Sequence, residues 1–195
     1  MKVIEILNTV CDLVGLSRFE NIYGNHSDNS ALMLSLLQQS GQEISCRVDW
    51  PQLLRTIKVE SSPFNIPNDF HRPLFGGAVI IDNNRFARPV NTAFDWEIVK
   101  NISDYPWYWI DNKVLHISVS AMATLRYFSK NWLIDANNNP NITITSDDDI
   151  TVLPSHLLIK DIIWRWRRAQ GLNFIDQLRE FDASIDSEML LVLGG

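Results

Sequence analysis

The sequence predicts an α+β fold in which N- and C-terminal helices form a helical bundle, with an inserted small antiparallel β domain. Three observations lead there. Apolar residues recur at three- and four-residue steps at both ends of the chain, as one buried face of a helix requires. Between about residues 51 and 145 the period changes to alternation, rich in β-branched and aromatic residues and punctuated by proline and asparagine. The strands read there are short and lack long intervening helices, which favours an antiparallel sheet or barrel over a parallel one. The expected organisation is residues 1–50 with 146–186 as the bundle, 51–145 as the insert, and 187–195 as a C-terminal docking arm.

The elements follow in order. Val3, Ile6, Leu7, Val10, Leu13 and Val14 share one helical face, and Gly15 supplies a stop, so the first helix is expected over about 2–14. "NHSDNS" breaks the pattern, and Asp28 or Asn29 suits the cap of a second helix whose stripe is Met33, Leu36, Leu37, Ser40 and Ile44. Pro51 disfavours helical geometry at Trp50 and ends it within "RVDWPQLL". "TIKVESS" reads as a strand, "IPNDFHRP" as a turn-rich loop with Asp69 beside Arg72, and "FDWEIVKNI" (94–102) as a short helix. "YWIDNKVLHISV" reads as a hairpin turning at Asp111 and Asn112 with positive φ. "TLRYFSKNWLI" is expected as one strand and "NITIT" as a short last one.

After "SDDDITVLP" the helical period returns, with Pro154 in the first turn. Leu158, Ile162, Trp166 and Ala169 form a stripe that Ile159, Ile163 and Trp164 broaden. Gly171 ends that helix, and Asn173 caps a final one bearing Phe174, Ile175, Leu178 and Phe181.

Composition narrows the function classes. With 195 residues, 46% hydrophobic and 21% charged, the chain has the make-up of a globular protein with a buried core. Its net charge of −6 argues against a free-standing DNA-binding module, which usually displays a basic surface. No apolar run has the length of a membrane span. The opening residues read as an amphipathic helix and not as a signal peptide, because Glu5, Asn8 and Asp12 interrupt it. A cytoplasmic origin is therefore expected. Cys11 and Cys46 are expected as buried free thiols, and the glycosylation patterns at Asn25, Asn101 and Asn141 as chance matches.

Catalytic, cofactor and metal readings find no support. The chain has no Walker loop, no GxGxxG and no nucleophile elbow. His26, His71, His116 and His156 have no partner at ligand spacing, and Gly76–Gly77 has no phosphate-cradling lysine after it. Asp147, Asp148 and Asp149 lack the glycine and glutamate of a calcium loop and are expected to face the positive end of the following helix. The expectation is no enzyme, no cofactor and no metal.

Two stretches stand out. "DIIWRWRRAQGLNF" (161–174) sets Trp164 and Trp166 about 160° apart on a helix, so more than one face needs cover. Asp161 precedes Arg165 in the favourable ion-pair order, and Arg168 shares that face. Ion pairing with packing of the arginine stems comes first, a subunit-packing role for Trp164, Arg165, Trp166 and Arg168 second, and a DNA grip third. The second stretch is "MLLVLGG". Met189, Leu190, Leu191, Val192 and Leu193 are costly to leave in water, each being worth roughly 1.5–3 kcal/mol when buried. Docking against another protein as an extended, adaptable arm is expected, with packing on the chain's own core as the alternative.

Taken together, "VCDLVGL", "RVDWPQLL", "IPNDFHRP", a hairpin, "YFSKNWL", "SDDDITVLPSHLL" and "IIWRWRRAQGLNF" give a chain that resembles the head-to-tail adaptor (head-completion or connector) proteins of tailed bacteriophages and gene transfer agents. The likeness runs through nearly the whole chain, and "YFSKNWL" and "IWRWRRAQGL" are its most specific parts. The segment "FGGAVIIDNNR" departs from it. The resemblance implies a structural subunit of the virion neck, assembled in the bacterial cytoplasm. It implies a homo-oligomeric ring, a dodecamer, under the portal protein. That ring extends the DNA channel without binding DNA specifically and meets a tail or stopper protein. Residues 189–193 then become portal-docking candidates. The competing reading is a β-barrel binding module with helical flanks, recognising single-stranded nucleic acid or a glycan through Trp107, Tyr108 and Trp109.

Overall fold

A computed structural model describes residues 1–25, 27–82, 85–102 and 105–194, with side chains described as far as residue 192. In chain order the elements are α1 (Val3–Val14), α2 (Asp28–Arg47), β1 (Leu54–Val59), β2 (Phe64–Asn65), β3 (Phe70–Pro73), β4 (Val79–Ile81), β5 (Arg85–Phe86), β6 (Arg88–Val90) and α3 (Ala93–Val99). They continue with β7 (Trp107–Asp111), β8 (Val114–Ile117), β9 (Ala123–Ser129), β10 (Leu133–Ile134), β11 (Pro140–Asn141), β12 (Ile150–Thr151), α4 (Ser155–Ala169) and α5 (Ile175–Gly194). The fold is α+β. It divides into a terminal unit, Met1–Leu53 with Lys130–Gly195, and a central unit, Leu54–Ser129. Residues 130–145, expected in the insert, thus belong with the two ends of the chain. Strand character does not mark that boundary, because the terminal unit has a small sheet of its own.

In the terminal unit α1 buries Val3, Ile6, Leu7, Val10 and Cys11 and leaves Leu13 exposed, so its inward stripe is narrower than expected. Gly15, at φ 76°, takes the left-handed conformation that closes the helix, and the Leu16 N–H reaches the Cys11 carbonyl at 2.9 Å. Ser27 caps α2, in place of Asp28 or Asn29, by accepting from the Ser30 N–H at 3.2 Å. At the other end of α2 the Trp50 indole N–H donates to the Ile44 carbonyl at 2.7 Å, satisfying an acceptor that the helix end leaves open. Gly41 lies under Trp132, where an added Cβ would come within 2.3 Å of the indole. Glycine here permits close packing of a buried aromatic onto a helix.

Residues 124–134 form two strands, not one. β9 ends at Ser129, and Leu133–Ile134 pairs instead with β11 and β12 in a three-stranded sheet. Gln38 on α2 fixes the segment after β11, donating to the Ile142 carbonyl at 2.7 Å and accepting from the Ile144 N–H at 3.0 Å. The acidic triplet does not serve α4 as expected. Asp147 accepts from the N–H groups of Ile22 and Tyr23, Asp148 pairs with Lys2 at 2.8 Å, and buried Asp149 accepts from those of Thr145 and Ser146. Backbone donors of two loops take Asp147 and Asp149, and Lys2 takes Asp148. α4 then packs against α1, α2 and α5, burying Leu157, Leu158, Asp161, Ile162 and Trp164. Its inward face is rotated from the expected stripe, so Trp164 is enclosed while Trp166 is half-buried and Ala169 exposed. Pro154 is the N-cap of α4 and lies one position before its first turn.

The central unit holds a five-stranded sheet with β9 in the middle. β1 pairs along one side of β9, β3 and β4 share the other, and β5 extends from β4. A four-stranded sheet runs β2-β8-β7-β6. The pairings are antiparallel except β6 with β7, which is parallel. That exception corrects the expected all-antiparallel insert. A parallel neighbour needs a crossover, and α3, capped by Thr92 and two residues shorter than read, provides it between β6 and β7. The hairpin between β7 and β8 turns at Asn112 and Lys113, φ 46° and 65°, one residue later than expected. Val79, Ile81, Tyr108, Leu115, Leu125 and Tyr127, drawn from both sheets, belong to one buried apolar cluster.

Candidate functional site

The arginine-tryptophan stretch builds an internal network. Asp161, fully buried, accepts from the Trp164 indole N–H at 2.6 Å and from Arg165 Nε at 2.8 Å. Arg165 also pairs with Glu43 of α2, and its guanidinium lies 4.6 Å from the Trp164 ring centroid. Glu43 in turn pairs with Arg47 at 2.6 Å, and Arg47 with Asp182 of α5 at 3.1 Å. Helices α2, α4 and α5 are thus joined by one chain of charge pairs, whose buried members have the partners that buried charge requires. Phe174 covers Trp164 at a ring separation of 6.1 Å. Of the four subunit-packing candidates, Trp164 and Arg165 are occupied inside the terminal unit. Trp166 is half-buried and Arg168 exposed.

The end of the chain is a helix and not an extended arm. α5 runs without a break to Gly194 through residues with good helical propensity. The helical period sorts the apolar run. Met189 and Val192 are half-buried and continue the inward stripe of Phe181 and Ile185. Leu190 and Leu191 are 72% and 71% exposed on the outward side. The Leu193 side chain lies outside the described residues. Near this end His156 of α4 meets Glu188 at 3.3 Å, and Lys160 meets Glu180 at 2.9 Å, holding α5 to α4.

The aromatic hairpin does not offer an exposed stacking ladder. Tyr108 is buried in the core of the central unit, and burial pushes its hydroxyl pKa up. Trp109 stacks at 5.3 Å on His116 and at 6.1 Å on Trp96, and Trp107 is half-buried. The exposed aromatics of this unit are Phe75, Phe86, Phe94 and Tyr105, and the reading of residues 107–109 missed them. Their signal in sequence is the interleaving of Phe75, Phe86 and Tyr105 with Arg72, Arg85 and Arg88.

Of the groups singled out for chemistry, Cys11 is buried, and its thiol pKa is pushed up by burial, while Cys46 is exposed, contrary to expectation, on the last turn of α2. His26 lies outside the described residues. Among the described residues no group of three or more His, Cys, Asp or Glu is placed to hold a metal ion, and no helix is long and apolar enough to cross a membrane. No protein-family model matches the chain, and no curated protein matches it.

Charge is segregated along the chain. The terminal unit carries sixteen acidic against nine basic residues, net −7, and the central unit seven against eight, net +1. The described surfaces thus include an exposed apolar pair on α5, an acidic terminal unit and an arginine-bearing central unit.

Proposed function

We propose that the chain is a non-enzymatic structural subunit of the neck of a tailed bacteriophage or a gene transfer agent. Copies form a dodecameric ring beneath the portal, extend the DNA channel and meet a tail or stopper protein. In this reading α1, α2, α4 and α5 act as a helical bundle that carries the outward end of α5 to the portal. The observation that carries the proposal is the exposure of Leu190 and Leu191 side by side on a helix whose opposite face is already held. Two leucines left in water forgo roughly 1.5–3 kcal/mol each, which a partner surface recovers. The order of the sequence motifs supports the family. The net charge of −7 on the terminal unit suits a channel wall along which DNA slides. Half-buried Trp166 and exposed Arg168 remain for subunit packing, both residue types being frequent at interfaces.

Negative-stain imaging of the chain mixed with candidate portal particles tests the proposal. An added ring of density on the portal is the expected result. Portal particles that look the same with and without the chain contradict it.

A further inference from the structure

We infer that the central unit carries a docking groove for an extended acidic segment of a partner protein, one whose side chains alternate between carboxylates and large apolar groups. The groove is open to solvent and has a volume of about 1110 Å³. Arg72, Arg85 and Arg88 line it, together with Phe75, Phe86 and Tyr105. Among the described residues no acidic side chain lines it.

Local geometry holds these groups in place. Gly76, at φ 73°, turns the chain so that Phe75 stands 95% exposed. Gly77 lies against Phe86, where an added Cβ would fall 3.3 Å from the ring. Arg88 stacks over Tyr105 at 4.3 Å, so its guanidinium plane is oriented before any ligand arrives. Phe86 is 57% and Tyr105 53% exposed. Three exposed aromatics beside exposed Arg85 and Arg88 are the composition of an interface centre and not of scattered surface.

The chemistry of the occupant follows from complementarity. Planar guanidinium forks match carboxylates in two-point contacts. Apolar side chains of the partner cover the aromatic faces. β5, which contributes Arg85 and Phe86, stands at the end of its sheet's strand order, and among the described residues a strand pairs it on one side only. An extended segment laid along that edge gains main-chain hydrogen bonds, as in β-strand addition. Nucleic acid shares the taste for arginine and aromatics, but it has no main-chain donors and acceptors of strand geometry to pair with the open edge of β5. The groove and the end of α5 share no residue, so this inference stands or falls independently of portal docking.

Fluorescence anisotropy on the full chain tests it with three labelled probes: the peptide Asp-Leu-Glu-Phe-Asp-Leu-Glu, the same peptide with serine replacing Leu and Phe, and a short oligothymidylate. The first probe is expected to bind saturably, and the other two are not. Phe75→Ser and Arg85→Glu, both at exposed positions, are each expected to weaken binding of the first probe about tenfold or more while the melting temperature stays unchanged. No binding of the first probe overturns the inference. Equal binding by both variants, or by the serine peptide, also overturns it. An oligothymidylate complex lost in the same variants assigns the groove to nucleic acid. Concentration-dependent self-association lost in those variants assigns it to a second copy. Either result overturns the partner-segment reading.

Discussion

At the scale of the residue, Asp161 is the centre of the terminal unit's polar interior. It is fully buried and holds both the Trp164 indole and Arg165. Replacing it with alanine leaves the buried Trp164 indole N–H without its acceptor and Arg165, 14% exposed, with Glu43 alone, and an unsatisfied buried donor costs roughly 1–3 kcal/mol. Chemical denaturation of Asp161→Ala is expected to show that loss, while Arg168→Ala, on the exposed side, changes stability by less than about 0.5 kcal/mol. The pair of Asp161 with Arg165 was readable from its four-residue spacing. The third partner, Glu43, was not, because nothing local links residues so far apart in sequence. Gly41 is a second such position. Gly41→Ala drives a methyl into Trp132 and is expected to destabilise by about 1–3 kcal/mol. Sequence offered only a glycine within a helical stripe. Tyr127 gives a pH signature. Burial, with a hydrogen bond to Asp69, pushes its pKa up to about 12. The folded state therefore holds this proton more tightly than the unfolded chain, whose tyrosine titrates near about 10. Stability is full below that lower value and falls as pH rises from about 10 towards 12. Denaturation midpoints measured across that window are expected to drop more for the native chain than for Tyr127→Phe.

At the scale of the element, α5 shows how a run of apolar residues misleads. "MLLVLGG" read in isolation has no period, and an extended arm followed from treating it so. Continued from Phe181 and Ile185, the same residues fall into the helical repeat, with Met189 and Val192 inward and Leu190 and Leu191 outward. The N-terminal helices were more legible, because α1 and α2 carry clean stripes and α1 a terminating glycine. The hairpin was placed correctly as an element, but its turn lies one residue later than read. Lys113 occupies φ 65°, a conformation that costs a side-chain-bearing residue energy. Lys113→Gly is expected to raise stability by about 0.5–1 kcal/mol, measured by urea denaturation.

For the whole molecule, sequence periodicity conveyed an α+β chain with helices at both ends. It did not convey the parallel pairing of β6 with β7, since strand order depends on contacts that alternation does not encode. Nor did it place residues 130–145 with the termini, because a short strand looks the same in either unit. The arginine-aromatic groove was hidden for a related reason: its members come from three separate turns and strands that only the fold brings together. The segregation of charge was present in the sequence and became visible only once the unit boundaries were known.

In the proposed ring the outward leucines at the end of α5 are covered by the portal. Co-sedimentation of the full chain with purified portal rings, comparing the native protein with the Leu190→Glu, Leu191→Glu double variant, tests it most directly. Both side chains already face water, so the variant is expected to melt as the native protein does, yet to stay in the supernatant while the native protein pellets with the rings. A folded double variant that pellets as fully as the native chain contradicts the account.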